Sequence, residues 1–207
     1  MLVATGCARQ GGEDPESGET APVQRSKWEP GMINIPEGGE AAPGGELVFG
    51  GFQEPRTLDP AVTVTAGPTG GIEMGAIYSF LMRWDSETGE LVPELAESLE
   101  PNEDFTQWTL KLRPDVTFSN GKPFNATAVQ WSIDRYMKLP VDEAKMWQEN
   151  VTDVEQPDEQ TLIFNLARTW PTFGYMMTTA PGMIVGEGSD GATPEEFTPI
   201  GAGPYVL

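Results

Sequence analysis

Residues 95–136 read LAESLEPNEDFTQWTLKLRPDVTFSNGKPFNATAVQWSIDRY, and this stretch carries the clearest structural pattern in the chain. Within it, Trp108, Leu110 and Leu112 alternate with polar residues, which is the period-two pattern of a half-buried β-strand. A second short strand is predicted at residues 116–118. The stretch therefore predicts sheet structure whose apolar face carries a tryptophan.

A tight turn and a capped helix follow these strands. Residues 119–122 are Ser-Asn-Gly-Lys, and Asn and Gly tolerate the positive φ that a sharp reversal requires. Asn125 or Thr127 can accept hydrogen bonds from the free amides at the start of the next helix. The apolar positions of that helix recur at helical spacing: Val129, Ile133, Tyr136 and Met137.

The order and spacing of these motifs resemble the extracytoplasmic solute-binding proteins of family 5, the peptide and nickel receptors that feed ABC importers. The motifs that carry the resemblance are LAES at 95–98, WTLKLR at 108–113, VTFSNGKPF running on to the serine at 132, TLDP at 57–60 and PIGAGPY at 199–205. Each motif is weak alone, but together they cover roughly residues 45–207. Their common order makes the resemblance specific.

The resemblance implies a mixed α/β fold of the class II periplasmic-binding-protein type. Such a fold has two lobes joined by a hinge, with the ligand enclosed between them, and the first lobe carries an extra subdomain. Residues 46–207 would form most of that first lobe and its subdomain. Members of the family are more than twice as long as this chain, so we expect an N-terminal fragment.

The composition excludes some partners. The chain has 207 residues, 38% of them hydrophobic, which is enough for a core. Its formal net charge is −20, from 12 basic and 32 acidic residues. Nucleic-acid binding depends on clustered Lys and Arg, so no nucleic-acid partner is expected. We interpret the acidity as solubility in a salty or extracellular setting, with an acidic binding patch as the alternative.

The first 45 residues predict an anchor and a tether. Cys7 ends the run Leu-Val-Ala-Thr-Gly-Cys, which resembles the end of a bacterial lipoprotein signal, so residues 1–7 are interpreted as its remnant and Cys7 as the lipidation site. A stray cysteine is the alternative. Residues 8–45 are acidic and rich in Gly and Pro, which predicts a disordered tether. A Pro-rich ligand for a partner domain is the other interpretation.

Other elements follow from local patterns. Met74, Ile77, Tyr78 and Leu81 have helical spacing. The remaining predictions are strands at 46–51, 83–84, 151–155, 161–167 and 183–185, a polar hairpin turn at 85–89, a connection at 140–150, a short helix at 173–177 and a strand at the C-terminus around 205–207.

The chain offers little for catalysis. Without histidine, neither a Ser-His-Asp nor a Cys-His arrangement can form. Residues 201–204, Gly-Ala-Gly-Pro, place a proline where a phosphate-binding backbone needs an amide. Carboxylate pairs could be drawn from Asp59, Glu73, Asp134 and Glu149, but each is better explained as a cap, a turn residue or solvated surface. We predict no catalytic residue, no metal and no cofactor.

The resemblance also implies where a ligand binds. In the family, the loop after the LDP motif approaches the ligand through its backbone, and this falls on Val64, Thr65, Ala66 and Gly67. An ordinary surface loop is the alternative. An aromatic residue after the long helix tends to face the cleft, which indicates Trp147 or the adjacent Met146, with a core role for Trp147 equally open.

The function implied by the resemblance is capture of a peptide or similar small solute outside the cytoplasmic membrane and its delivery to an ABC permease. The protein would contact the membrane only through its lipid anchor. Two alternatives from other classes remain, a cell-surface adhesive module and a carboxylate-dependent glycan hydrolase.

Overall fold

The computed structural model describes residues 54–55, 57–62, 71–189 and 196–207. Helices and strands in chain order are α1 (Gly71–Tyr78), β1 (Met82–Asp85), β2 (Glu90–Pro93), β3 (Ala96–Pro101), β4 (Gln107–Leu112), α2 (Ala126–Tyr136), α3 (Asp142–Asn150), β5 (Val151–Asp158) and β6 (Thr161–Leu166), followed by 3-10 helices at Phe173–Thr178 and Ala180–Gly182. The strand predicted at 46–51, the tether at 8–45 and Cys7 lie outside the described residues.

A four-stranded antiparallel sheet in the order β3-β4-β6-β5 forms the centre of the described part. On β4 the predicted alternation is confirmed, because Trp108, Leu110 and Leu112 are buried. Their cross-strand partners continue this face, with Phe164 opposite Trp108 and Leu162 opposite Leu110. Period-two burial on two neighbouring strands therefore builds one continuous apolar face.

The opposite face of the sheet is polar. The side-chain amide of Gln107 donates to Asn165 Oδ1 at 2.8 Å, and the Asn165 amide donates to Glu155 Oε1 at 2.7 Å. These bonds link β4, β6 and β5 across the sheet. Polar side chains satisfy one another here, whereas the other face packs on the core.

Helix α2 lies against the sheet with Val129, Ile133 and Tyr136 buried, as their spacing predicts. Of the two capping residues that the sequence allows, Asn125 is the N-cap. Its Oδ1 accepts from the Ala128 amide at 3.0 Å.

Replacement of Asn125 by alanine is expected to lower the free energy of unfolding by about 1 kcal/mol, because one amide of the first turn loses its acceptor. Thr127→Ala, in the same turn but outside the cap, should cost less than about 0.5 kcal/mol. Urea unfolding of both variants measures the difference. Equal costs would show that the cap does not stabilise the helix.

The turn at 119–122 forms as predicted, but the strand at 116–118 does not. Gly121 has φ +79°, and its amide donates to Phe118 O at 2.8 Å. Between β4 and α2, the only β pairing is an isolated bridge between Thr117 and Pro123. Pro123 has no N–H to extend a ladder, and the chain turns into α2 three residues later, so the prediction of a strand was wrong.

The hairpin of β1 and β2 confirms the interpretation of residues 85–89 as a polar turn. Asp85 pairs with Glu90 at the end of the ladder. Its Oδ1 accepts from the amides of Glu87 and Thr88, and these two bonds lower the pKa of Asp85. The carboxylate thus stabilises the turn locally.

Three further expectations need correction. Most of the predicted connection at 140–150 is helix α3, because Ala144 and Trp147, three residues apart, supply an apolar stripe that packs in the core. Residues 183–185 are buried but form no ladder, since the Val185 amide donates to Ser132 Oγ instead. Residues 205–207 are exposed and carry no strand.

Tyr136, on α2, makes the stability of the folded protein depend on pH at high pH. Burial, with a smaller contribution from the Glu143 carboxylate, raises the pKa of Tyr136 from 10.0 to about 12. The folded protein therefore favours the neutral phenol, and this contribution to stability is complete below pH 10. It is lost as the pH rises from about 10 through about 12.

Urea unfolding should show that the free energy of unfolding falls as the pH rises through this range. The part of that fall due to Tyr136 should be absent in Tyr136→Phe. The same pH dependence in both proteins would contradict the assignment to Tyr136.

Candidate functional site

The four residues of the predicted ligand loop, Val64, Thr65, Ala66 and Gly67, lie outside the described residues. Their role stays a prediction. The structure describes the chain on both sides of the loop, residues 57–62 before it and α1 after it.

The residues before the loop are held by a buried ion pair. Asp59 is 7% exposed, and the guanidinium of Arg135 approaches both of its oxygens, with Nη1–Oδ1 at 3.0 Å and Nη2–Oδ2 at 2.5 Å. Asp59 Oδ1 also accepts from the Ala61 amide at 2.9 Å. A two-pronged contact of this kind fixes geometry as well as charge. Asp59 therefore joins the TLDP segment to the last turn of α2.

Two aromatic rings complete this anchor. The Arg135 guanidinium lies over the Phe197 ring, 5.4 Å from its centroid. The Tyr78 hydroxyl donates to Leu58 O at 2.8 Å. Burial, reinforced by the Asp59 charge, raises the pKa of Tyr78 well above its usual range. The hydroxyl thus stays protonated and can donate this bond at physiological pH.

The GAGPY segment closes the end of α1. The Gly203 amide donates to Ile77 O at 2.8 Å, and the Tyr205 amide donates to Ala76 O at 3.1 Å. These bonds satisfy carbonyls that a helix end leaves without intrahelical partners. The TLDP and GAGPY motifs, far apart in the chain, consequently meet at α1.

Trp147, for which the sequence leaves a cleft-facing role and a core role equally open, packs in the core. It is 6% exposed, and its ring lies 5.5 Å from those of Phe164 and Phe173. Helix α3 turns this side chain toward the sheet and leaves its neighbour Met146 41% exposed. The contacts of Trp147 match the core alternative that the sequence left open.

The carboxylates considered for catalysis have other surroundings. Asp59 is paired with Arg135, and Asp134 Oδ1 accepts a 2.7 Å hydrogen bond from the side-chain amide of Gln130. Glu149 is exposed on α3, and Glu73 lies half-buried in the first turn of α1.

Among the described residues, no three cysteine or acidic side chains are grouped as metal ligands. None of the helices in the described ranges is long and apolar enough to cross a bilayer.

Sequence reasoning did not identify Arg135 as part of this region. The available signal was its position, since a charged side chain next to the buried Tyr136 borders the apolar stripe of α2. Such a charge is expected to find a partner. Its partner, 76 residues away in the chain, could not be predicted from spacing.

Comparison with known proteins gives consistent matches. The sequence model of "Bacterial extracellular solute-binding proteins, family 5 Middle" matches residues 90–207. The probable D,D-dipeptide-binding periplasmic protein DdpA of Escherichia coli K12 is 28% identical over 156 residues, which are 73% of this chain and 30% of that protein. The glutathione-binding protein GsiB of Shigella boydii is 31% identical over 136 residues, 64% of this chain and 26% of that protein.

Comparison with solved structures gives matches of the same kind. The crystal structure of a nickel ABC transporter protein from Bacillus halodurans superposes with a TM-score of 0.60 at 30% identity, covering 72% of this chain and 29% of that one. The expected fold class, mixed α/β and part of a periplasmic-binding-protein lobe, is thereby confirmed. The matched region spans less than a third of the length of these relatives.

Proposed function

Because this chain belongs to the bacterial extracellular solute-binding proteins of family 5, we propose that it forms part of an ABC-importer receptor. The receptor would capture a peptide or similar small solute outside the cytoplasmic membrane and deliver it to a permease. The observation that carries this proposal is the family match over residues 90–207. Relatives named for binding a dipeptide and glutathione favour transport over the adhesive and hydrolase alternatives.

The mechanism is binding without covalent chemistry. Two lobes would close about a hinge, and the ligand would shift the population from open to closed forms. Backbone groups of Val64, Thr65, Ala66 and Gly67 would contact the ligand. The Asp59–Arg135 pair and the Tyr78 hydrogen bond support this proposal, because they fix the chain just before the loop.

The receptor would be held at the membrane by a lipid on Cys7, with residues 8–45 as the tether. Replacement of Cys7 by serine should move the protein from the membrane fraction to the soluble fraction of the cells that produce it. An unchanged distribution would remove lipidation at Cys7 from the proposal and leave the binding function untouched.

A thermal-shift screen of the full-length protein tests the binding function. Short peptides, nickel chelates and sugars form the three ligand classes. A ligand present at about 100 times its dissociation constant stabilises the folded protein by about 2.7 kcal/mol, which raises the melting temperature by several degrees. We expect the peptides to do so. Failure of all three classes together with turnover of any of them would favour an enzyme.

A further inference from the structure

A groove of about 320 Å³ opens beside the start of α2, away from the TLDP segment in the chain. Its apolar lining comes from Phe118, Pro123, Ala128 and Trp131, and its charged lining from Lys122 and Glu187. Small-molecule sites span about 300–1,000 Å³, so this groove suits a molecule the size of one amino acid.

The apolar side of the groove is well supported. Phe118 is 3% exposed, and its ring packs 5.3 Å from that of Phe124. Trp131 is half-buried on α2 and keeps part of its indole open to the groove. An aliphatic side chain placed against these groups would leave water for a preformed apolar surface.

The charged side carries one positive and one negative group next to each other. Lys122 Nζ lies 3.2 Å from Glu187 Oε2, and both side chains are more than half exposed. Two other polar groups of the lining are already engaged, since Asn125 Oδ1 caps α2 and Thr127 Oγ1 donates to Gln156. Lys122 and Glu187 are therefore the charged groups that a ligand would meet.

We propose that this groove binds a free α-amino acid with an aliphatic side chain. The ammonium group of the zwitterion lies against Glu187, and its carboxylate lies against Lys122. The ligand dipole then runs antiparallel to the Lys122–Glu187 dipole, so each of the four charges has an opposite neighbour. The aliphatic side chain rests on Trp131. The proposal rests on residues of the groove itself, and occupancy of the groove does not depend on the importer function.

Fluorine NMR of the full-length protein labelled with 5-fluorotryptophan tests the proposal, with leucine as the probe. The Trp131 resonance is assigned as the one that Trp131→Phe removes. Leucine should shift it saturably, whereas N-acetyl-leucine and leucinamide, which each lack one charge, should bind more weakly. Exposed ion pairs contribute little, so Lys122→Met and Glu187→Gln should each weaken leucine binding by about 1.4-fold to five-fold.

Lys145→Met is the matched control, because Lys145 is exposed on α3 and does not line the groove. It should leave the leucine affinity unchanged. The proposal is overturned if leucine, added up to its solubility limit, does not shift the fluorine resonance of Trp131. It is equally overturned if N-acetyl-leucine and leucinamide act as strongly as leucine, since the groove would then recognise only apolar surface. If all three ligand classes failed in the thermal-shift screen and one of them was turned over, while leucine still shifted the Trp131 resonance, the importer function alone would be rejected.

Discussion

Replacement of Arg135 by methionine is expected to lower the free energy of unfolding by about 3 kcal/mol, because Asp59 would stay buried as a carboxylate without its cation. The Asp59 side chain is only 10% exposed and that of Arg135 22%, so solvent screens their contact weakly. The variant would also lose the contact of the guanidinium with the Phe197 ring. We expect this to be among the most damaging single changes in the described residues.

Urea unfolding of Arg135→Met against Lys122→Met measures this effect. Lys122 makes an exposed ion pair with Glu187, and its loss should cost less than about 1 kcal/mol. Adding Asp59→Asn to Arg135→Met should recover part of the stability, because the uncompensated charge is gone. Equal costs for the Arg135 and Lys122 variants would show that the buried pair does not anchor the TLDP segment.

Gly201→Ala is the second substitution with a large expected cost, about 2–3 kcal/mol. A Cβ at this position would lie 2.1 Å from Ile77 O, and that oxygen belongs to the backbone of α1. The clash cannot be relieved by a rotamer change. Either the GAGPY segment moves away from α1 or the helix end shifts, and the hydrogen bond from the Gly203 amide to Ile77 O would be strained.

Gly75→Ala is the matched control, since it adds the same methyl group within α1. Its Cβ would meet only the Phe80 ring, at an ordinary 3.8 Å. Alanine is favoured over glycine in a helix by up to about 1 kcal/mol, so this variant should be as stable as the parent or more stable. If thermal unfolding showed Gly201→Ala to be no worse than Gly75→Ala, the close approach at α1 would be refuted.

The local patterns of this chain were predictable wherever one short-range rule governs them. Trp108, Leu110 and Leu112 alternate because one face of β4 is buried. Asn125 caps α2 and Gly121 adopts a positive φ, each for reasons contained within a few residues. The resemblance to a family added the fold class, which the solved relatives confirm.

Helix α3 and residues 183–185 escaped prediction because tertiary packing decides them. In α3, whose sequence is mostly polar, Trp147 is the one large apolar side chain among the buried residues Ala144, Trp147 and Asn150. Residues 183–185 have the apolar character of a strand, yet Met183 and Val185 pack with α1 residues such as Met74 rather than pairing in a sheet. No local rule distinguishes an apolar extended segment from a strand.

The anchor around Asp59 could not be predicted for a different reason. The 12 basic and 32 acidic residues allow many possible ion pairs, and spacing does not select one across 76 positions. Only the fold brings the TLDP segment, α1 and the end of α2 together. The motifs were visible in the sequence, but their meeting point was not.

The fate of a bound peptide distinguishes a receptor from an enzyme. The full-length protein should be mixed with a dipeptide and a tripeptide, and binding measured by isothermal titration calorimetry. The ligand should then be released by denaturation and examined by mass spectrometry. We predict saturable binding of one peptide per protein molecule, with the peptide recovered intact. Recovery of cleaved or modified peptide would contradict a receptor that binds its solute without changing it.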